Sequence, residues 1–371
     1  MRIVAAVLLA LLGACSSDPR PIEPAPTTQT PTPSPTPTFA YPGTEWAKQP
    51  QGDFRAQDRY LGGVRSTCFA VIKDGKLAHD AYWGGTGERS ARPAYSITKS
   101  VTAILVGIAA DEGKLTLDDK AVKYIPQWNG PVSRLVTIRD LLSNISGRHW
   151  DYDTDYSQMI RRAPDKTAFA IGLRQDNKPG TKWDYNNSAV QTLEAVLEKA
   201  TGEDVAAYAR KRLLDPIGMR DTTWAHDNAG NTTTYSGIDS SCHDLARIGY
   251  LMMRGGRWNG QQLVSEEFTK EATSTSSQLN AAYGLLWWVN KAGHIVTIDR
   301  AAGFPQDKPP YEGQLAPGAP DDTYWALGYG NEYVMVIPSE GIVAVRMGSR
   351  PNTPDQLTFE SFAAGVLDGL H

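Results

Sequence analysis

Ser96-Ile97-Thr98-Lys99 and Tyr185-Asn186-Asn187 are the residues of this chain whose types and spacing could do chemistry. A serine and a lysine three apart on a helix share one face, which sets an ammonium one turn from a hydroxyl. In an apolar helix the lysine is desolvated and its neutral form favoured, so it can take the proton that a serine loses on attacking a carbonyl. A helix N-terminus at Ser96 would also turn backbone N–H groups toward a developing oxyanion. The tetrapeptide alone equally fits an N-cap serine and a surface lysine. Tyr185, just after the turn Pro179-Gly180-Thr181, can relay a proton between serine, lysine and leaving group. The Asn187 carboxamide can orient Lys99 and bind a substrate carbonyl. Taken singly, Tyr185 also reads as a packed aromatic and Asn187 as a helix cap.

The elements that must position these residues follow from patterning. Ser66 to Ile72 and Leu77 to Trp83 are β-forming runs around Asp74-Gly75, a type I′ turn signal, and predict a hairpin. Ile97, Val101, Ile104, Leu105 and Ile108 recur at helical spacing until Gly113, in a helix from Ser96 to Glu112 apolar enough to be buried. From about Lys114 to Asn280 the pattern is mostly helical, with an N-cap at Thr137, an amphipathic run Ser188 to Ala200, and further helices over Glu203 to Leu213 and Ser241 to Arg254. Strands return at Trp287 to Val289, Thr323 to Gly328, Glu332 to Ile337 and Ile342 to Met347, and a helix over Asp355 to Leu367 closes the chain. The fold class is α+β: an antiparallel β-sheet completed by the C-terminal strands and flanked by helices, with an inserted helical lobe. The expected sheet lobe is 44–113 plus 281–371 and the helical lobe 114–280.

The first residues are of another kind. Met1-Arg2, the apolar run Ile3 to Leu12 and Leu12-Gly13-Ala14-Cys15 read as a signal peptide over 1–14, too short to span a bilayer. Leu-Gly-Ala-Cys resembles a bacterial lipobox, which implies lipidation of Cys15; a plain secretory signal with an incidental cysteine is the other reading. Residues 15–43 are rich in Pro and Thr and read as an extended tether, which leaves 44–371 as the folded domain. The chain is thus expected to be an exported lipoprotein held at the cell-envelope membrane through Cys15. Cys68 and Cys242, the two cysteines of the domain, could pair in an oxidising compartment or stay as free buried thiols. A net charge of -4 without a Lys/Arg cluster argues against nucleic acid as a partner. No His-Glu-x-x-His or paired Cys-x-x-Cys spacing points to a metal, and Gly84-Gly85-Thr86-Gly87 lacks the lysine and helix of a phosphate loop. No cofactor is expected.

Six segments in order resemble the serine β-lactamase-like hydrolases, which include class C β-lactamases, DD-peptidases, esterases and 6-aminohexanoate-dimer hydrolases. They are Tyr95-Ser96-Ile97-Thr98-Lys99, Gly113-Lys114-Leu115-Thr116-Leu117-Asp118-Asp119, Val136 to Gly147, Pro179 to Asn187, Asp215-Pro216-Ile217-Gly218-Met219 and Ser240 to Arg247, within a likeness that runs from about Thr67 to the C-terminus. The resemblance implies an acyl-serine mechanism with Ser96 as nucleophile, Lys99 as base and Tyr185 as proton carrier.

One family feature is absent. The β-lactamases carry Lys-Thr-Gly or a similar triplet on a core strand, where it holds the substrate carboxylate. Here Trp325-Ala326-Leu327-Gly328-Tyr329-Gly330-Asn331-Glu332 stands in its place and is similar to the Gly-rich strand of the esterase and aminohexanoate-hydrolase branch. That likeness implies a second oxyanion donor in the Tyr329 N–H, next to Gly328. It also implies substrate contacts from the loop holding His149, Trp150, Tyr152 and Tyr156. Trp287 is a further pocket candidate, although Trp287 and Trp288 on one strand point to opposite faces and one of them belongs to the core. Arg148, Arg300 or Arg346 could replace the missing cation. The leading reading is a hydrolase of a small ester or amide. The alternatives are a cell-wall DD-peptidase or β-lactamase acting on peptides or β-lactams, and a catalytically idle binding lipoprotein of the envelope.

Overall fold

The computed structural model describes residues 40–297, 309–351 and 357–371. The signal peptide, Cys15, most of the tether and Arg300 lie outside the described residues. Strands β1 (Ser66–Lys73) and β2 (Lys76–Tyr82) join through Asp74 and Gly75, whose φ angles of 49° and 80° are the two positive values a type I′ turn requires. The other long-sheet strands are β3 (Trp288–Val289), β4 (Tyr324–Gly328), β5 (Glu332–Ile337) and β6 (Ile342–Gly348). The helices that build and support the site are α1 (Arg55–Gly63), α2 (Ile97–Asp111), α3 (Asn187–Thr201), α4 (Cys242–Met253) and α5 (Phe359–Leu370).

All six strands pair antiparallel in the order β2-β1-β6-β5-β4-β3, so the N-terminal hairpin is closed onto the C-terminal strands by β1 against β6. Strands β4, β5 and β6 are buried along their whole length, because helices cover both faces. On one face Val334, Val336 and Val343 meet α4 so closely that a Cβ on Gly249 would lie 2.6 Å from Val343 Cγ1. On the other, Phe69 and Tyr333 pack against Phe362 of α5. Cys68 and Cys242 form a disulfide that ties β1 to the first turn of α4.

Helix α2 is buried from Ile97 through Ala109, as its nearly all-apolar surface requires, and packs against α3 and β4. It therefore lies between the sheet and the mostly helical stretch that runs from α2 to α4. In that stretch Thr137 and Asp140 form a capping box, and α3 ends at Gly202 with φ 73°. The chain also forms a small sheet there, in which Arg92–Pro93 and Thr223–Trp224 flank Ile238–Ser240.

Two expectations are corrected. Residues 40–43, assigned to the tether, already dock on the domain: Tyr250 Oη donates to the Ala40 carbonyl, Arg247 to that of Gly43, and Tyr41 packs edge-on to Tyr250 and Trp258. Trp287 precedes β3, is fully buried and packs edge-on to Tyr324. It belongs to the core and not to a pocket wall.

Candidate active site

Ser96 stands at the N-terminus of α2, after Tyr95, which adopts a φ of 45°. A non-glycine residue in that region carries strain of about 1–3 kcal/mol, which the surrounding packing must hold. Although Ser96 occupies the N-cap position, its side chain caps nothing. Its Oγ instead accepts from Lys99 Nζ at 2.9 Å and hydrogen-bonds the Tyr185 hydroxyl.

Lys99 is 1% exposed. Its Nζ also donates to Asn187 Oδ1 at 2.6 Å and to the Tyr235 carbonyl at 3.0 Å. All three oxygens are uncharged, so little offsets the loss of hydration, and burial brings the amine down to about 7 against an upward pull from Asp155. A large share of Lys99 is then neutral near pH 7 and able to accept a proton. The Tyr185 ring lies 4.7 Å from Nζ, flanked by Trp183, Tyr283 and Trp288, and burial pushes its hydroxyl above the usual phenol range. The ring is thus packed and still presents its hydroxyl to Ser96.

The cap of α3 is Asn186, whose Oδ1 accepts from the Ala189 N–H. Asn187 is thereby left for other work, yet not for binding substrate. Its Oδ1 faces Lys99, its Nδ2 donates to Asp155 Oδ2 at 2.7 Å, and it also hydrogen-bonds the Tyr156 hydroxyl. The expected contact of Asn187 with a substrate carbonyl is therefore corrected: both ends of its amide are engaged within the protein.

Across from these groups, β4 ends at Gly328 and the Tyr329 ring packs edge-on to Tyr95, with centroids 5.5 Å apart. The strand end and the residue before Ser96 are thus in contact. A Cβ on Gly328 would lie 2.7 Å from the Ala94 carbonyl and 3.0 Å from Glu332 Oε2, so only glycine admits this approach. Gly328→Ala is expected to push β4 off the Ser96 segment and lower kcat by about 10–100-fold, the scale of a misplaced oxyanion donor. Steady-state kinetics on an ester, with a thermal midpoint as the folding control, checks this; an unchanged kcat in the folded variant would show that the approach is irrelevant to turnover.

Beside the two tyrosines opens a cavity of about 170 Å³ lined by Thr67, Arg92, Tyr95, Tyr329, Glu332 and Arg350. Of the arginines expected to replace the missing cation, Arg148 and Arg346 do not reach it. Arg346 is fully buried, bonded to Ser66 Oγ and to backbone carbonyls that include Gly330. Arg148 is buried against Trp128 and donates to the Ile171 and Leu173 carbonyls. His149 is corrected as well: its ring is buried between Asp176 (2.6 Å) and Asp151 (2.8 Å) and staples the loop together. Trp150 is half-buried next to it, whereas Tyr152 is exposed and stacked on Tyr156, which touches Asn187. Of the loop candidates, Tyr156 stands nearest to Lys99 and Asn187, and Tyr152 is joined to them through it. Among the described residues no group of His, Cys, Asp or Glu is arranged to hold a metal.

Two residues that matter here escape a reading of the sequence: Asp155 and Tyr235. Asp155 is one of three acids alternating through Asp151-Tyr152-Asp153-Thr154-Asp155, and no pattern there marks the buried one. Tyr235 acts through its carbonyl, which any residue has.

The β-lactamase family model matches residues 53–364. An uncharacterized protein of Alkalihalophilus pseudofirmus is 22% identical over 322 residues, which span 78% of this chain and 85% of that protein. Among solved structures, a penicillin binding protein from Bacillus halodurans superposes with a TM-score of 0.62 at 16% identity, over 83% of this chain and 97% of the other. A D-stereospecific amidohydrolase from Streptomyces does so with a TM-score of 0.60 at 19% identity, over 82% and 97%. At these identities the superpositions establish a shared fold.

Proposed function

Because this chain belongs to the β-lactamase family, whose fold neighbours are hydrolases, we propose that it is a serine hydrolase cleaving a small neutral ester or amide through an acyl-serine intermediate. The observation that carries the reading is the contact of Ser96 Oγ with a desolvated Lys99 amine at 2.9 Å. Neutral Lys99 takes the Ser96 proton as Oγ adds to the substrate carbonyl carbon. The backbone N–H groups of Ser96 and Tyr329 receive the oxyanion. The proton then passes by way of the Tyr185 hydroxyl to the leaving group, which departs as an alcohol or amine and leaves acyl-Ser96. Water attacks the acyl carbon, gives its proton to the same pair, and the acid product leaves with Ser96 restored.

The preference for a neutral substrate follows from β4. Where relatives hold a cation and a hydroxyl, Trp325, Ala326 and Leu327 are buried and apolar. A substrate carboxylate left unpaired in such a site costs several kcal/mol. One observation favours the second reading, a DD-peptidase or β-lactamase: Arg92 and Arg350 line the cavity beside Tyr329. Glu332 lines the same cavity, but burial pushes its carboxyl well above the usual carboxylate range, so its neutral form is favoured and it does not repel a substrate carboxylate. The expected result is a kcat/KM for p-nitrophenyl butyrate at least about a hundredfold above that for nitrocefin or a D-Ala-D-Ala peptide. Efficient nitrocefin hydrolysis with negligible esterase activity would promote the second reading.

A further inference from the structure

We propose that Asp155 is a positioning residue for the Ser96–Lys99 pair, acting by fixing which end of the Asn187 amide faces the lysine. The inference rests on the reading of Ser96 and Lys99 given above.

Asp155 is 1% exposed and sits in the π-helical turn Asp153–Ile160. Its Oδ2 accepts from Asn187 N (3.2 Å) and Nδ2 (2.7 Å), and its Oδ1 from Ser188 N (2.8 Å) and Oγ (2.6 Å). Burial pushes this carboxyl up, and the four hydrogen bonds oppose the shift. Each oxygen receives an N–H that can only donate, and both lie at the N-terminus of α3, where the helix dipole favours an anion.

An ionised carboxylate only accepts. It therefore selects Nδ2 as the end of Asn187 turned toward it and leaves Oδ1 on Lys99. The orientation matters because a neutral lysine has two N–H donors and one lone pair. Asn187 Oδ1 and the Tyr235 carbonyl take the two hydrogens, and the direction in which the ammonium donates to Ser96 Oγ becomes, in the neutral amine, the lone pair that receives the Ser96 proton. With the amide reversed, Nδ2 would donate to that lone pair and the base would be blocked.

Asp155 has a second effect, through its charge. The groups facing Lys99 are Ser96 on its own helix, the Asn187 amide, the Tyr185 ring, and the ring and carbonyl of Tyr235. Each is uncharged near neutral pH, and Asp155 is the charge that raises the basicity of Lys99 against its burial.

The test is Asp155→Asn, which keeps the shape and removes both the charge and the acceptor-only character. Turnover of p-nitrophenyl butyrate should lose about 10–100-fold in kcat, with KM held within about twofold, the scale seen when outer partners of a catalytic group are removed. NMR titration of ¹³C-labelled lysine should find the Lys99 midpoint lowered by about one unit, as loss of a nearby opposite charge predicts. A folded Asp155→Asn whose Lys99 midpoint has not moved overturns the proposal, whatever its kcat, since a merely structural role would leave that midpoint in place. Should Asp155→Asn not fold, Asn187→Ala removes the group through which Asp155 acts; it should show the same loss of kcat, and an undiminished kcat overturns the proposal. The titration needs no turnover. A wild type inactive on every ester, with the midpoint still moving in Asp155→Asn, would sink the hydrolase reading and leave the positioning of Lys99 standing.

Discussion

Ser96→Ala is expected to abolish covalent labelling by a fluorophosphonate probe and to lower kcat by about four to six orders of magnitude. The fold should survive, because the Ser96 side chain caps no backbone group of α2 and its loss removes only hydrogen bonds inside the site. Lys99→Ala should cost nearly as much, and the double variant little more than either single one, because a nucleophile and its base act as a unit. Labelling of purified variants, followed by kcat on p-nitrophenyl butyrate, decides the matter. Undiminished labelling of Ser96→Ala would place the nucleophile elsewhere in the chain. Near-normal turnover by Lys99→Ala would leave Ser96 with another base, for which Tyr185 is the group in reach.

The parts of this site that were legible in the sequence are those with a periodic or local signature. The all-apolar run after Ser96 announces a buried helix, and burial is what sets Lys99 apart from a surface cation and favours its neutral form. Asp74-Gly75 announces its hairpin because few residues tolerate two positive φ angles in succession. Trp287 and Trp288 show where local pattern stops. Alternation says that they face opposite ways, but not which side holds the site, and it is Trp288 that stacks beside Tyr185. His149 is the same kind of case: its loop position suggested a substrate contact, while the carboxylates that claim its ring, Asp151 and Asp176, are brought to it by the course of the loop. Asn187 carries the clearest lesson, since the sequence supplies a polar side chain at the right place and only the fold reveals that Asp155, 32 residues earlier, has already engaged its amide.

The rate should depend on pH through Lys99, and the sign follows from which form of the amine works. Burial brings Lys99 down to about 7, and only the neutral amine can take the Ser96 proton. kcat/KM for p-nitrophenyl butyrate should therefore rise with pH through a midpoint near 7, and stand at about 1% of its plateau two units below that midpoint. No falling limb should follow in the mildly alkaline range, because the Tyr185 hydroxyl is held above the usual phenol range and keeps its proton there. The same amine ties folding stability to pH. In the unfolded chain Lys99 keeps its proton up to the ordinary lysine value of 10.5, whereas the folded chain has lost it above about 7. Between those values the unfolded state binds more protons, so stability gains with rising pH and is lost as pH falls through the folded value. Across that window the difference in stability between wild type and Lys99→Met, in which every other titrating group largely cancels, should grow by about 1.4 kcal/mol per pH unit. Urea midpoints for the two proteins at pH 7.5 and about 9.5 measure it. A difference that stays flat with pH, together with a rate midpoint near that of a free lysine, would mean that Lys99 remains charged in the folded protein and that Ser96 takes its base from elsewhere.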